Sequence, residues 1–181
     1  IVTDSTYHGN TSAVSQLSYG RNAIGGVGNH IRYVRTPISL SDNKENSVSE
    51  AKHFAQNVKL AIDSLEEAGI GVSALLICPF FANEGFPKLE YGFLDETVSQ
   101  VRNAGGIIIA DEVQPGFGRV GTDWWGYQKI GIAPEVVTMG KPMANGHPVA
   151  SVSTSSDKIK SFRKNFGNFN TFGCSQVSCE S

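Results

Sequence analysis

Hydrophobic residues fall into two rhythms along this chain. Over residues 47–68, SVSEAKHFAQNVKLAIDSLEEA, the positions Val48, Ala51, Phe54, Ala55, Val58, Ala61, Ile62 and Leu65 recur every three or four residues. That spacing predicts an amphipathic helix, with Gly69 standing where a C-terminal cap belongs. A second helix fits residues 94–104, with Asp95 and Glu96 near its positive end. Elsewhere the apolar positions come as short unbroken runs: residues 72–80 (VSALLICPF), 107–111 (IIIAD), 135–139 (EVVTM) and 148–154 (PVASVST). Strands covered on both faces read this way. The opening IVTD looks like the end of a further strand, and residues 30–37 (HIRYVRTP) like a short one. Strand, helix and strand in repeated order predict an α/β fold with a mainly parallel sheet flanked by helices.

Composition narrows the partners. The 181 residues, 40% of them hydrophobic, are enough for one domain that buries roughly 70% of its unfolded surface. Fifteen basic against 17 acidic residues leave a formal charge of −2, and no basic stripe points to nucleic acid or an anionic membrane. Cys78, Cys174 and Cys179 form no C-x-x-C pair, which suits a reducing compartment, and the cytoplasm is the expected location. No apolar run approaches the roughly 20 residues that span a bilayer. The four histidines, His8, His30, His53 and His147, show no metal-ligand spacing, so no metal is expected. An Ile inside a strand at position 1 and the uncapped ending SCES read as a piece of a longer chain.

The chemistry concentrates in GGIIIADEVQPG, residues 105–116, where an apolar strand ends abruptly in two carboxylates and turns on Pro115 and Gly116. Ligands of parallel α/β sheets bind at the carboxyl ends of strands. Asp111 stands at one such end, and Lys141, in TMGKPMANGHP, just past the next, one crossover later. Gly140 offers a permissive turn, and Pro142 biases Lys141 toward extended backbone. An amine at a partly dry strand end can have its pKa lowered enough to attack a carbonyl. A carboxylate buried at the facing end needs a partner, since an isolated buried charge is very costly. The pyridinium nitrogen of pyridoxal 5′-phosphate would be one: its charge-assisted bond to Asp111 keeps the ring protonated and makes it an electron sink. On this reading Glu112 turns the other way. Taken singly, an Asp-Glu pair also serves as a loop anchor, and a lysine before proline says less still. The order and spacing join them. A Walker B reading of IIIADE fails because Gly140-Lys141 has Glu135 where the first glycine of a phosphate loop belongs and Pro142 where Ser or Thr belongs.

The segment IIIADEVQPGFGRVGTDWWGYQKIGIAPEVVTMGKPMANGHPVA resembles the signature of the class III (subgroup II) aminotransferases, pyridoxal-phosphate enzymes of fold type I. Tyr7-His8-Gly9-Asn10-Thr11 resembles the family's aromatic-His-Gly segment, and Asn170-Thr171-Phe172-Gly173 its N-T-F-G segment. The resemblance covers essentially the whole chain and implies that residues 1–181 are a portion of the cofactor-binding large domain. It assigns Lys141 the Schiff base and the proton shuttle, and Asp111 the pyridinium nitrogen. It places Val113 on one ring face, Tyr7 on the other, and Gln114 at the phenolic oxygen, with His8 either a cofactor-binding residue or, as a histidine next to glycine, structural. Thr171 matches a threonine that reaches the phosphate of the neighbouring subunit's cofactor, which implies a homodimer. The implied reaction moves an amino group from an amine or amino acid to a keto acid.

Some positions depart from the family. The upstream phosphate-holding segment and the C-terminal small domain, which often supplies an arginine for the substrate carboxylate, are not in these residues. Cys78 stands where many relatives have the glutamate of a Glu-Pro-x-Gln-Gly stretch, which bears on any two-substrate scheme that uses it. Phe80 and Phe81 follow as candidate pocket walls or core. Cys174 stands where a glycine is usual, which affects the placement of Thr171. Trp124, Trp125 and Tyr127 are expected to pack the crossover, with any exposed member free for a subunit interface. Two alternatives remain open: a phospho-lyase or aminomutase of the same family, and a non-catalytic homologue acting as a binding module.

Overall fold

The computed structural model of the chain describes residues 1–18, 25–37, 44–171, 173 and 175–180, without the side chains of 44–46. Six strands form one sheet: β1 (Val2–Thr3), β2 (Tyr33–Val34), β3 (Ala74–Ile77), β4 (Ile107–Asp111), β5 (Val136–Met139) and β6 (Ser151–Thr154). They run in the order β2-β1-β3-β4-β5-β6. Every neighbouring pair is parallel except β5 with β6. The helices are α1 (Ser12–Ser15), α2 (Lys44–Glu67), α3 (Asp95–Asn103), α4 (Gly126–Lys129), α5 (Ser156–Asn165) and α6 (Gln176–Glu180). This is the mainly parallel α/β arrangement expected from the alternation of segments.

The core lies where α2 and α3 pack together over β3 and β4. Phe54, Val58, Ile62 and Leu65 of α2 meet Leu75, Ile77 and Ile108 of the strands and Val98 and Val101 of α3. Burying each such side chain is worth about 1.5–3 kcal/mol. Helix α2 ends as expected at Gly69, whose N–H donates to Glu66 O at 2.9 Å while Ile70 N–H reaches Leu65 O at 3.0 Å. The expected stripe has one exception: Val48 is 57% exposed. Periodicity puts a residue on a face but does not supply the neighbour that covers it.

β4 spans 107–111 as expected, while β3, β5 and β6 come out shorter than their apolar runs. After Ile77 the chain cannot continue the ladder, because Pro79 has no N–H to donate, and Phe81 N–H instead closes a turn on Cys78 O at 2.8 Å. Phe81 is buried in the core, whereas Phe80 stands edge-on to Phe86 at 4.9 Å and lines a cavity of about 160 Å³ with Pro79, Pro87 and Leu89. The crossover from β4 to β5 is packed by Trp125, edge-on to Phe117 at 5.0 Å and parallel to Tyr127 at 6.5 Å, while Trp124 is exposed. Cys78 is buried, Cys179 is exposed, and Cys174 lies outside the described residues. Among the described residues no helix is long and apolar enough to cross a membrane.

Candidate functional site at the ends of β4 and β5

Register brings the candidate residues together. β4 and β5 are parallel neighbours with Asp111 beside Thr138, so the carboxylate and the chain leading to Lys141 emerge at the same edge of the sheet. One oxygen of Asp111, Oδ1, accepts the Val113 N–H at 3.1 Å and the Thr138 hydroxyl at 3.2 Å. The other, Oδ2, lies 2.6 Å from His8 Nδ1, and His8 Nε2 lies 3.0 Å from the Thr6 hydroxyl. The carboxylate can only accept, so Nδ1 carries the proton and donates to Asp111, and in the neutral imidazole Nε2 then accepts from the Thr6 hydroxyl, which can serve either role. The His8 and Asp111 side chains are 2% and 11% exposed. Because β3 lies between β1 and β4, the chain leaving β1 has to cross the carboxyl end of β3 to deliver His8. Cys78 ends that strand, its thiol pushed up to about 11 by burial, which outweighs the bonds it receives from the backbone of Ala82 and Phe80; the charges of Asp111 and Glu84 add to the rise. It is a neutral thiol at pH 7.

Adjacent residues of a strand point to opposite faces, and Glu112 indeed leaves the side that Asp111 occupies. Fully buried, it accepts the N–H of Gly126 at Oε2, 2.9 Å, and of Tyr127 at Oε1, 2.8 Å. Burial pushes its carboxyl above the usual range, the two amides pull it back, and the charge of Asp111 raises it again.

Lys141 is exposed, and its Nζ donates to Gln114 Oε1 at 3.1 Å. Its backbone is not extended, as the following proline suggested, but left-handed, with φ 40°. The reason is a tight turn, closed by Met143 N–H on Gly140 O at 3.2 Å, that holds Lys141 and Pro142 at its centre. A proline disfavours the right-handed helical region before it, and the turn places Lys141 at positive φ with Pro142 at φ −75° and ψ −6°, at a cost of about 1–3 kcal/mol for a non-glycine residue. Val113 joins the two groups: its N–H rests on Asp111, and its methyl lies 3.5 Å from where a Cβ on Gly140 would stand. Tyr7 is half-buried beside His8, and Thr171 is exposed past α5, holding none of these bonds. Thr6 and Thr138 were not anticipated. The second was within reach: aligning IIIAD with VVTM as parallel neighbours sets the threonine hydroxyl beside the aspartate.

Known proteins share this arrangement of chain. The class-III aminotransferase family matches residues 1–180. Ethanolamine-phosphate phospho-lyase homolog 1 of Caenorhabditis elegans is 31% identical over 194 residues, covering 99% of this chain and 42% of its own length. Alanine–glyoxylate aminotransferase 2 of Homo sapiens, mitochondrial by name, is 44% identical over 108 residues, 57% of this chain and 21% of its own. A solved phospholyase from Arthrobacter, in complex with phosphoethanolamine, superposes with a TM-score of 0.89 at 39% identity, over 98% of this chain and 42% of that one. The chain spans less than half the length of these relatives. With the family match running through β1, β4, β5 and α6 alike, this chain belongs to the class-III aminotransferases, pyridoxal-phosphate enzymes of fold type I.

Proposed function

We propose that the chain holds pyridoxal phosphate at the ends of β4 and β5 and serves an aminotransferase that moves an amino group from an amine or amino acid to a keto acid. The observation that carries this reading is the emergence of Asp111 and the Lys141 turn from adjacent parallel strands, the acid backed by buried His8 and the amine held by Gln114. The donor set fits the cofactor. A carboxylate offers about four acceptor positions; His8, Val113 and Thr138 use three, and the fourth, on Oδ2, suits a ring N–H. Bound there, the cofactor supplies an electron sink for the charge that the departing proton leaves on the substrate's α-carbon.

The chain's own residues do the rest. Asp111, oriented from three sides, would accept the ring N–H, and His8, whose Nδ1 proton the carboxylate itself requires, holds Oδ2 in place. Lys141 Nζ would hold the cofactor covalently and, once freed by the incoming substrate amine, would carry the α-proton. Gln114 steadies that amine through Oε1 and keeps its amide N–H groups for the phenolic oxygen. Val113 and Tyr7 would pack on the two ring faces, and Thr171 of a second copy would reach the phosphate in a homodimer.

A second reading, elimination of phosphate from an amino-alcohol phosphate, is favoured by two observations. The Caenorhabditis and Arthrobacter relatives, which align with nearly all of this chain, bear that activity in their names. Cys78, a neutral buried thiol, also supplies no carboxylate for alternating between two substrates, and an elimination needs only one. Mixing the protein with pyridoxal phosphate is expected to produce a visible absorbance band that is lost in Lys141→Ala. No band in the unmodified protein overturns the reading. Turnover that requires a keto acid supports transamination; phosphate release from an amino-alcohol phosphate without one supports elimination.

A further inference from the structure

We infer that Glu112 is a positioning residue for this site: by gripping Gly126 and Tyr127 it clamps the 113–116 turn so that Gln114 meets the amine of Lys141. The inference rests on the roles of Lys141 and Gln114 proposed above. Glu112 follows β4 and leaves on the opposite side from Asp111, and its polar groups tie together β5, the turn that follows and the start of α4. Its N–H donates to Thr138 O at 2.9 Å, its carbonyl accepts from Gly116 N–H at 3.0 Å, and its carboxylate takes the two amides that begin α4.

Packing shows how closely the two segments interlock. A Cβ on Gly116 would stand 2.8 Å from Glu112 O and 2.9 Å from the Trp125 ring, and a Cβ on Gly126 would stand 2.8 Å from Pro115 Cβ. Each segment has a glycine where the other brings its bulk, and neither can shift without the other. Helix α4 is a single turn, too short to hold its own shape; besides Glu112, the Gln128 side chain steadies it by accepting Trp125 N–H at 3.1 Å. The far side of the clamped turn is the functional one, with Val113 against Gly140 and Gln114 Oε1 at 3.1 Å from Lys141 Nζ.

Stability alone does not explain a carboxylate in this place. Burial pushes its pKa upward, so the ionised form subtracts from stability relative to the neutral one. A glutamine of the same shape would escape that cost, but its single acceptor oxygen would leave one of the two amides unpaired. Glutamate brings two acceptor oxygens at this length, and each takes one amide.

Glu112→Gln tests the inference in two states of the protein. Without cofactor, the side-chain amide resonances of Gln114 are expected to move and the freed amide of Gly126 or Tyr127 to exchange about tenfold faster. With cofactor, the affinity for pyridoxal phosphate is expected to fall about tenfold, equal to about 1.4 kcal/mol. Gly126→Ala keeps the carboxylate but wedges Pro115, and is expected to move the same Gln114 resonances; it decides the matter if Glu112→Gln does not fold. A variant that lowers the unfolding midpoint while leaving the Gln114 resonances and cofactor affinity unchanged overturns the inference. A wild-type protein without a visible cofactor band overturns the functional reading instead, and the cofactor-free resonances still decide the clamp.

Discussion

Two regions of this chain carry phenylalanines on amphipathic helices and end up in opposite conditions. On α2, Phe54 is buried and tilted against Phe93 at 6.2 Å, inside a core shared with α3, β3 and β4. On α5 and just beyond it, Phe162 and Phe166 stack on each other at 5.5 Å, yet both are exposed, and the helix buries no residue at all. The apolar spacing is similar; the neighbours differ. The proposed site straddles this divide. Asp111, His8 and Thr138 are anchored to the packed block, whereas Lys141 sits in a turn leading to β6 and α5, and Thr171 lies beyond them. One half of the site is held by a core and the other by a strained turn and one hydrogen bond.

The largest effect expected from this contrast is at Phe54. Phe54→Ala should cost about 3–5 kcal/mol of unfolding free energy, measured by denaturant titration, because it removes a large side chain from a packed interior. Next comes Thr138→Val, which takes one donor from a nearly buried carboxylate; about 1–3 kcal/mol is expected, with the pairing of Asp111 and His8 kept, as the His8 imidazole resonances would show. A loss no greater than at a surface threonine would mean that Asp111 is not anchored in the block.

The pH dependence sharpens the comparison through a smaller effect. Glu112 has its native pKa raised above the ordinary 4.5, mainly by burial. The native state therefore holds this proton more tightly than the unfolded chain, and the stability so conferred is full below the unfolded pKa and lost as pH rises through the native one. Relative to Glu112→Gln, the wild type should lose stability over that rise. The Gln variant also forfeits an acceptor, which offsets the two curves by a constant, so the difference in slope is the quantity to read. Equal slopes would refute the raised pKa. The smallest effect is expected at Phe166, 62% exposed, where Phe166→Ala should change stability by no more than about 0.5 kcal/mol. A loss above about 2 kcal/mol would erase the distinction between the two regions.

The long helix and the buried strands were legible because their signals are local. The α2 stripe, the Gly69 cap and the run IIIAD each depend on residues within a turn or two of one another, and burial follows from period and length. The divergence of Asp111 and Glu112 was also readable, since a strand sends successive side chains to opposite faces. The backbone of Lys141 was misread because Pro142 excludes one conformation without choosing among the others; the bond from Met143 to Gly140 makes that choice. His8 could be tied to the site only by resemblance, because its partner is more than a hundred residues away in sequence and a whole strand lies between them in the sheet.

The amino-acid order by itself determined the α/β class, the strand that ends in Asp111 and the turn that carries Lys141, because hydrophobic period and turn chemistry act between near neighbours. Tertiary structure alone decided which hydroxyl and which imidazole steady Asp111, that Glu112 grips the start of α4, and that Phe162 of α5 and Phe166 beyond it are exposed while Phe54 of α2 is buried. Those outcomes depend on strand register and on what packs against each face, and both are set by contacts between distant parts of the chain.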